Sequence, residues 1–276
     1  MLIKNITNSE YRSRKGISNS ELLMIGQSPA DFIWNRDAPI DPSKSLTKDF
    51  GTALHTAVLE PHLFDDSIIV SSVKGRDTKT FQQEIIDNPD KTVLTEIEAE
   101  KIRIMKASAM AHPVFKQIIN DSELNEVSIF ARDESRDIDL KIRPDIDLVE
   151  KYGFLGDVKT TASLDDWRSD KPWANPLIKE NYGHTASFYL YAASLHYGFD
   201  VDVYKFLAIQ KTVKLSRYPV TVFSVDRDYL IANGFWDKML ENLDVYTKCF
   251  HENKWDFDEL LPMFVKDEEI KISFED

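Results

Sequence analysis

Residues 141–161 read KIRPDIDLVEKYGFLGDVKTT, and they decide the fold. Two runs rich in β-branched and aromatic residues, Lys141–Val149 and Phe154–Thr161, flank a short polar segment that ends at Gly153. This pattern is typical of an antiparallel β-hairpin. Each arm carries acidic residues, so the arrangement of the carboxylates depends on how the two arms pair.

The pairing of the arms decides whether the acids meet. Because side chains alternate along a strand, Asp157 and Lys159 share one face. If Asp145 lies opposite Asp157, the two carboxylates repel each other unless a cation sits between them, and Mg²⁺ accepts such oxygen ligands. This register requires a loop of odd length or a bulge, because a one-residue slip turns every side chain to the other face. Gly153 suits the left-handed position that such loops contain. The alternative is a solvated hairpin with surface charges.

Composition limits the class of protein. The chain has 276 residues and a formal net charge of −13, with 42% hydrophobic and 29% charged residues, so we expect a soluble globular protein. Long apolar runs and a signal peptide are absent, which predicts a cytoplasmic protein with no membrane partner. The single cysteine, Cys249, excludes an intrachain disulfide and a Cys₄ metal or iron–sulfur site. The acidic charge argues against nucleic acid only superficially, because a metal site and a few basic loops can attract DNA locally.

The first 120 residues predict a mainly helical region, with a polar loop over residues 37–47. Capping boxes begin two of its helices, and prolines interrupt or end them: Ser18 with Glu21, Thr95 with Glu98, and Pro29, Pro61 and Pro113. In the helix Phe50–Pro61, His55 lies beside the apolar stripe. A lone histidine in such a place is more often a packed boundary residue than a metal ligand.

The rest of the chain predicts a sheet with flanking helices. The predicted strands are Glu126–Ala131, Asp139–Val149, Phe154–Thr161, Val201–Gln210 and Ser216–Val225. Three helices are predicted. One begins at Ser163, and the other two cover Pro176–His196 and Asp226–Phe250. Helices first, then a three-strand meander, a helical crossover and two more strands indicate an α/β fold.

Four short motifs occur in order along the chain. They are Gly16-Ile17-Ser18-Asn19-Ser20; Gly51-Thr52-Ala53-Leu54-His55 followed by Leu59-Glu60-Pro61; Arg143-Pro144-Asp145; and Asp157-Val158-Lys159-Thr160-Thr161. Together they resemble the C-terminal nuclease domain of RecE, exonuclease VIII, and its phage relatives in the PD-(D/E)XK superfamily, from about Gly16 to about Pro262. The resemblance implies a PD-(D/E)XK nuclease core, in which a central mixed sheet is flanked by helices and preceded by an N-terminal helical region.

On this basis we expect a single nuclease domain over residues 1–276. Its mainly helical part, residues 1–120, carries His55. The catalytic sheet occupies residues 121–225, and a closing helix and tail occupy residues 226–276.

The resemblance also implies a divalent metal site. In that family the helical histidine and two aspartates bind the metal, which assigns His55, Asp145 and Asp157. The carbonyl of Val158 corresponds to a further metal ligand. Lys159, Asp157 and Asp145 correspond to the catalytic residues. Mg²⁺ is the expected ion, one or two per site, and Mn²⁺ should also support activity. The lysine either orients or deprotonates the attacking water or offsets charge in the transition state.

Substrate contacts are expected in two places. The segment 71–80 carries Lys74, Arg76 and Lys79, and it is either a plain surface loop or a contact to the DNA backbone. The family usually has a glutamine four residues before a tyrosine on the helix after the D-x-K strand. Here these positions are Thr185 and Tyr189. Thr185 can still donate a hydrogen bond, with a shorter reach, and Tyr189 is either a substrate contact or a packing residue.

The resemblance implies a Mg²⁺-dependent exonuclease of phage or prophage recombination. Such an enzyme degrades linear double-stranded DNA processively from 5′ to 3′ as a ring-shaped homotetramer, and it leaves 3′ single strands for a RecT-like annealing protein. A ring that encloses DNA is processive without tight binding, so an acidic protein can work if its channel is basic. The alternatives are a non-catalytic DNA-end-binding or scaffold module on the same fold and a structure-specific endonuclease.

Overall fold

A computed structural model describes residues 1–4, 6–37, 49–122 and 127–255. Three predicted features fall outside these ranges: residues 38–47 of the polar loop, the start of the first predicted strand at Glu126, and the tail after Trp255. Within the ranges, no helix has the length and apolar character needed to cross a membrane.

The described strands, in chain order, are β1 (Leu2–Ile3), β2 (Ile68–Ser71), β3 (Thr92–Thr95), β4 (Ser128–Asp133), β5 (Ile138–Ile142), β6 (Ile146–Leu148), β7 (Phe154–Thr161), β8 (Val203–Gln210) and β9 (Val220–Asp226). The described α-helices are α1 (Asn8–Ser13), α2 (Asn19–Ile25), α3 (Pro29–Asp37), α4 (Asp49–Leu59), α5 (Phe64–Ser67), α6 (Lys79–Asp87), α7 (Glu96–Ala111), α8 (Pro113–Asp121), α9 (Val149–Tyr152), α10 (Pro176–Lys179), α11 (Tyr182–Tyr197), α12 (Arg227–Ala232) and α13 (Phe235–Glu252).

The central sheet has the order β6-β7-β8-β9. β7 pairs antiparallel with β6 and parallel with β8, and β9 returns antiparallel to β8, so the sheet is mixed as predicted. A second sheet, β1-β4-β5, is antiparallel, and β2 pairs in parallel with β3. The chain passes from the second sheet into the central one where β5 ends and β6 begins.

Both faces of the central sheet are covered, because the side chains of β7 and β8 alternate between two apolar clusters. Leu155, Tyr204 and Phe206 belong to the cluster that includes residues of α2, α11 and α13. Val158 and Leu207 belong to the cluster that includes residues of α4, α7 and α8. Val158 therefore points away from the face that carries Asp157 and Lys159, as the alternation predicts.

The helix signals of the first 120 residues are confirmed. Ser18 with Glu21 and Thr95 with Glu98 form capping boxes at the starts of α2 and α7. α3 begins at Pro29, α4 ends before Pro61, and Pro113 begins α8 one residue after α7. Each proline lies where its missing N–H costs no helical hydrogen bond.

Several predicted boundaries are wrong. The predicted strand Asp139–Val149 is two strands, β5 and β6, because Pro144 between them has no N–H to donate to a ladder. The predicted helix Pro176–His196 breaks into α10 and α11 at Asn181, which has a positive φ of 55°. The predicted helix Asp226–Phe250 breaks into α12 and α13 at Gly234, with a φ of 74°.

Other differences concern short elements. The helix start at Ser163 is a 3₁₀ turn over Asp165–Arg168. The predicted strand Ser216–Val225 begins at Val220, since a turn with positive φ values occupies Leu215 and Ser216. The sequence did not predict β1, β2, β3 or α6.

Candidate active site

The hairpin has the register that brings the two acids together. Ile146 lies opposite Gly156 and Leu148 opposite Phe154, so the same register continued by one residue places Asp145 opposite Asp157. The connection between the paired residues is residues 149–153, an odd loop that contains α9 and ends at Gly153 with a φ of 72°. The predicted odd loop and its left-handed glycine are confirmed.

The carboxylate of each aspartate accepts a backbone N–H from the other arm of the hairpin. The Asp145 carboxylate accepts the N–H of Val158 at 2.7 Å, and the Asp157 carboxylate accepts the N–H of Asp145 at 3.3 Å. These bonds join the two arms of the hairpin beyond Ile146 and Gly156, the last backbone pair of the ladder. Both acids are buried, with 8% and 4% of their surface exposed. Hence their positions are fixed by the backbone of the hairpin itself.

His55 reaches the same place from the other side of the sheet. Ala53 and Leu54 bury one face of α4 against the sheet, and His55 on the neighbouring face puts Nδ1 3.4 Å from Oδ2 of Asp145. Burial lowers the pKa of His55, but the charge of Asp145 and its hydrogen bond outweigh burial and leave the pKa raised. The same contact, with help from Lys159, keeps the pKa of Asp145 below its ordinary value although burial raises it.

Lys159 stands beside the second acid. Its Nζ lies 2.8 Å from Oδ2 of Asp157 and 5.5 Å from the centre of the Tyr182 ring. Burial lowers the pKa of the amine, but the charges of Asp157 and Asp145 outweigh it and the net pKa is raised. The amine is therefore protonated at neutral pH in this arrangement.

Tyr204 is a site residue that sequence reasoning missed. It is fully buried on β8, next to Leu155 of β7, and it shares the face that carries Asp157. Burial, followed by the charge of Asp157, raises the pKa of the phenol well above its ordinary value. Its hydroxyl lies near Asp157 but forms no hydrogen bond of ordinary geometry with a described residue. The alternation Tyr204, Phe206, Ala208 was visible in the sequence, but the register of a parallel pair was not.

The predicted substrate residues of α11 have different places. The Tyr189 hydroxyl donates to the carbonyl of Arg143 at 3.4 Å, and the ring meets that of Tyr204 edge-on at 5.9 Å, so Tyr189 supports the bend that carries Asp145. The Thr185 hydroxyl donates to the carbonyl of Asn181 and accepts from the Asn19 amide at 2.9 Å. No described contact joins Thr185 to the acids.

The basic segment 71–80 is separate from this cluster. Arg76 donates to Glu98 at 2.8 Å, and its guanidinium lies 5.6 Å from the centre of the Phe81 ring. Lys74 and Lys79 are exposed. The structure describes no contact between these residues and Asp145, Asp157 or Lys159, and their role in binding DNA stays a prediction.

Sequence comparison identifies the family of the chain. Residues 18–257 match the family described as a PDDEXK-like domain of unknown function, DUF3799. The chain belongs to the DUF3799 family. The match covers the capping box of α2, His55, the hairpin and nearly all described helices after it, and it confirms the predicted PD-(D/E)XK fold. No curated protein matches the sequence.

A solved structure shares the fold of this DUF3799 chain. A crystal structure at 2.19 Å from Eubacterium rectale, named as a candidate exonuclease, covers 99% of this chain and 97% of its own, with a TM-score of 0.58 and 13% identity. At that identity the likeness shows the fold alone. The protein SSO0001 covers 78% of this chain and 97% of its own, at 14% identity and a TM-score of 0.29, and carries no argument.

The donors at this DUF3799 site suit a hard divalent cation. The Asp145 carboxylate contacts the His55 imidazole, and the Asp157 carboxylate is hydrogen-bonded to the backbone N–H of Asp145. The carbonyl of Val158 leaves β7 on the same side as its N–H, toward that carboxylate. Oxygen donors of this kind are the ligands of Mg²⁺, and the histidine also suits Mn²⁺. Among the described residues, however, no three His, Cys, Asp or Glu side chains already form a closed set around one point. The donor atoms are therefore of the types that bind such an ion. In this structure the Asp157 carboxylate forms an ion pair with Lys159.

Proposed function

We propose that this chain is a metal-dependent nuclease that degrades linear double-stranded DNA. The observation that carries the proposal is the cluster of Asp145, Asp157 and Lys159, in which two buried acids face each other and an amine lies 2.8 Å from one of them. A structural ion pair explains Lys159 with Asp157, and a backbone hydrogen bond explains one oxygen of Asp145, but neither requires the His55 imidazole beside that carboxylate. Hydrolysis of a phosphodiester uses all four groups.

The proposal gives each residue of the cluster a role. Asp145 and Asp157, with His55 and the carbonyl of Val158, would hold the ion. When bound, Mg²⁺ supplies a Lewis acid for the phosphate and lowers the pKa of water. Lys159, whose amine lies 2.8 Å from Asp157, either offsets the charge that develops on the phosphate oxygens or orients or deprotonates the attacking water.

The finer features of the proposal rest on the resemblance to RecE. We infer processive 5′-to-3′ digestion by a ring-shaped homotetramer, 3′ single-stranded products, and a RecT-like annealing partner in the cytoplasm of a bacterial host, with a phage or prophage origin. The net charge of −13 favours a ring that encloses DNA over a protein that binds DNA tightly on its outer surface, because an acidic outer surface repels DNA.

A digestion experiment tests the proposal. Linear duplex labelled at the 5′ or the 3′ end, and a covalently closed circle of the same sequence, are incubated with the protein in Mg²⁺, in Mn²⁺ and in EDTA. We expect the linear DNA to be degraded with either ion, with early release of the 5′ label, and the circle to survive. Equal cleavage of the circle would indicate an endonuclease. Binding of DNA ends with no degradation in either ion would indicate a non-catalytic module.

A further inference from the structure

The connection between β8 and β9 is a basic hairpin on an acidic protein. Residues 203–225 contain four Lys or Arg residues and no Asp or Glu, although the average acid content of the chain would place about four acids in a stretch of this length. Three of the cations, Lys211, Lys214 and Arg217, fall within residues 211–217, which we call the hairpin tip. All residues of the hairpin tip are exposed.

The cations of the hairpin tip are available to a ligand. In the part of the chain that the structure describes, none of Lys211, Lys214 and Arg217 forms an ion pair. In contrast, Arg76 of the predicted DNA-binding loop is bound to Glu98. Three exposed cations near one another, without acids between them, form a local positive potential that attracts phosphate.

The base of the hairpin is firmly anchored. The N–H of Lys211 donates to the carbonyl of Thr161 at the end of β7, and the Gln210 side chain accepts the N–H of Leu164. On the other strand Tyr218 is buried, and its N–H donates to the Ser108 hydroxyl of α7 at 3.2 Å. These bonds hold the hairpin tip at a fixed position relative to β7.

The turn at the hairpin tip has two residues in a backbone conformation that their side chains disfavour. Lys214 and Arg217 exchange both backbone hydrogen bonds, and the two residues between them, Leu215 and Ser216, have φ values of 51° and 61°. Such a turn favours Asn-Gly, since a side chain with a Cβ costs free energy at positive φ. Leu215 is also 92% exposed. The positive φ values at Leu215 and Ser216 are the kind of local strain that proteins keep at functional sites.

The hairpin tip lies at the active-site end of the sheet. β7 and β8 are parallel, with Lys159 opposite Ala208, so both strands end at the same edge. From Ala208 to Leu215 an extended chain covers at most about 23 Å. A duplex rises about 3.4 Å per base pair, so the tip reaches at most about seven base pairs from the strand position of Lys159.

We propose that the hairpin tip binds the duplex within about seven base pairs of the scissile phosphate, with Lys211, Lys214 and Arg217 on backbone phosphates and Leu215 against sugars and base edges. The inference rests on the proposed nuclease function, because DNA is the partner that brings phosphates to this edge. It assigns a substrate contact to a segment other than the one that the sequence indicated.

Salt dependence of binding tests the three cations. Each phosphate contact contributes about 0.9 to the slope of log K against log salt, so replacing all three with Gln should reduce the slope by about 2.7. Between about 50 and 200 mM salt, wild-type protein should then lose about 40-fold more affinity than the variant K211Q/K214Q/R217Q. Binding of a linear duplex is measured in EDTA. The control is K116Q/K248Q/K254Q, which changes the net charge equally at exposed lysines of α8 and the end of α13.

The outcomes separate this inference from the proposed function. A slope that is unchanged in K211Q/K214Q/R217Q, or reduced equally in the control, would overturn the hairpin contact, while digestion of linear DNA by wild-type protein would leave the nuclease proposal intact. If wild-type protein does not digest DNA but the slopes differ as expected, the contact stands and the nuclease proposal fails.

A second variant tests Leu215 without unfolding the hairpin. L215N/S216G installs the residues that the turn prefers, so it should raise the melting temperature. It also removes the apolar contact, and DNA affinity should fall at least about tenfold, because burying a leucine side chain contributes that much or more. A more stable protein with unchanged affinity would show that Leu215 does not contact DNA.

Discussion

His184 joins three helices through one buried imidazole. The ring on α11 is 4% exposed, its Nδ1 lies 2.9 Å from Oδ1 of Asn19, and its Nε2 lies 3.0 Å from Nδ2 of Asn242. An amide oxygen accepts and an amide nitrogen donates, so the neutral ring carries its proton on Nδ1. Gly26 makes room for this network, since a Cβ there would lie 2.4 Å from the Asn242 amide. Protonation of Nε2 would place two donors face to face.

The shifted pKa of His184 sets how much the free energy of unfolding depends on pH. Burial, and then the charge of Lys238, lowers the pKa of His184 from 6.5 to about 4. Between these pH values the unfolded chain binds a proton that the folded chain does not, so the free energy of unfolding decreases as the pH falls. The contribution is fully present above pH 6.5 and is lost by about pH 4. At 1.36 kcal/mol for each pH unit it amounts to about 3 kcal/mol.

Urea unfolding at several pH values between about 7 and 4 measures this effect in wild-type protein and in His184→Gln. Carboxylates titrate in both proteins, so the difference between their unfolding free energies isolates the imidazole. We expect wild-type protein to lose about 3 kcal/mol more than the variant over the window. His62→Gln, a change at an exposed histidine, should follow wild type. Parallel curves for wild type and His184→Gln would refute the reasoning.

Two further predictions concern packing around β7 and β8. A Cβ at Gly156 would lie 2.9 Å from the carbonyl oxygen of Lys205, so Gly156→Ala should lower the free energy of unfolding by about 1–3 kcal/mol in urea titrations, whereas Gly51→Ala on α4, which meets nothing within 4 Å, should raise it by up to about 1 kcal/mol. If both changes have the same effect, close strand approach is not the cause. Tyr204→Phe removes a buried hydroxyl without a described partner, so metal-free protein should keep or gain stability, by up to about 1 kcal/mol. A clear loss by calorimetry would show that the hydroxyl is bonded to Asp157.

The geometry of the candidate site was largely readable from the sequence, because it depends on local constraints. The spacing of Asp145 and Asp157 around an odd loop, with Gly153 in the left-handed region, defines the register of a hairpin whose arms are close in the chain. His55 was different. Spacing alone left it a boundary residue, and the resemblance to RecE was needed to place it beside Asp145.

Features that depend on distant partners could not be predicted. Leu2 pairs with Ile129, a contact that no local pattern indicates. The position of Tyr204 next to Asp157 depends on the parallel register of β7 and β8, which is set by packing against α11 and not by a turn. The breaks at Asn181 and Gly234 follow from positive φ values that tertiary packing imposes on otherwise helical stretches. Two residues of the hairpin tip, Ser216 and Arg217, were predicted as the start of a strand, because the pair Leu215-Ser216 does not have the Asn-Gly sequence that is typical of such a turn.

The central claim is that Lys159 and its acids are a catalytic cluster and not a structural ion pair. Lys151 is the matched control, because it forms a Lys–Asp ion pair with Asp121 at 2.9 Å, close to the 2.8 Å of Lys159 with Asp157, but on the exposed surface at the far end of the same hairpin. The measurement is the initial rate at which linear duplex is degraded in Mg²⁺ by wild type, Lys159→Ala and Lys151→Ala, with unfolding free energies recorded for each. The account predicts a loss of at least about 100-fold for Lys159→Ala in a folded protein and no loss for Lys151→Ala. Equal rates for all three proteins would contradict it.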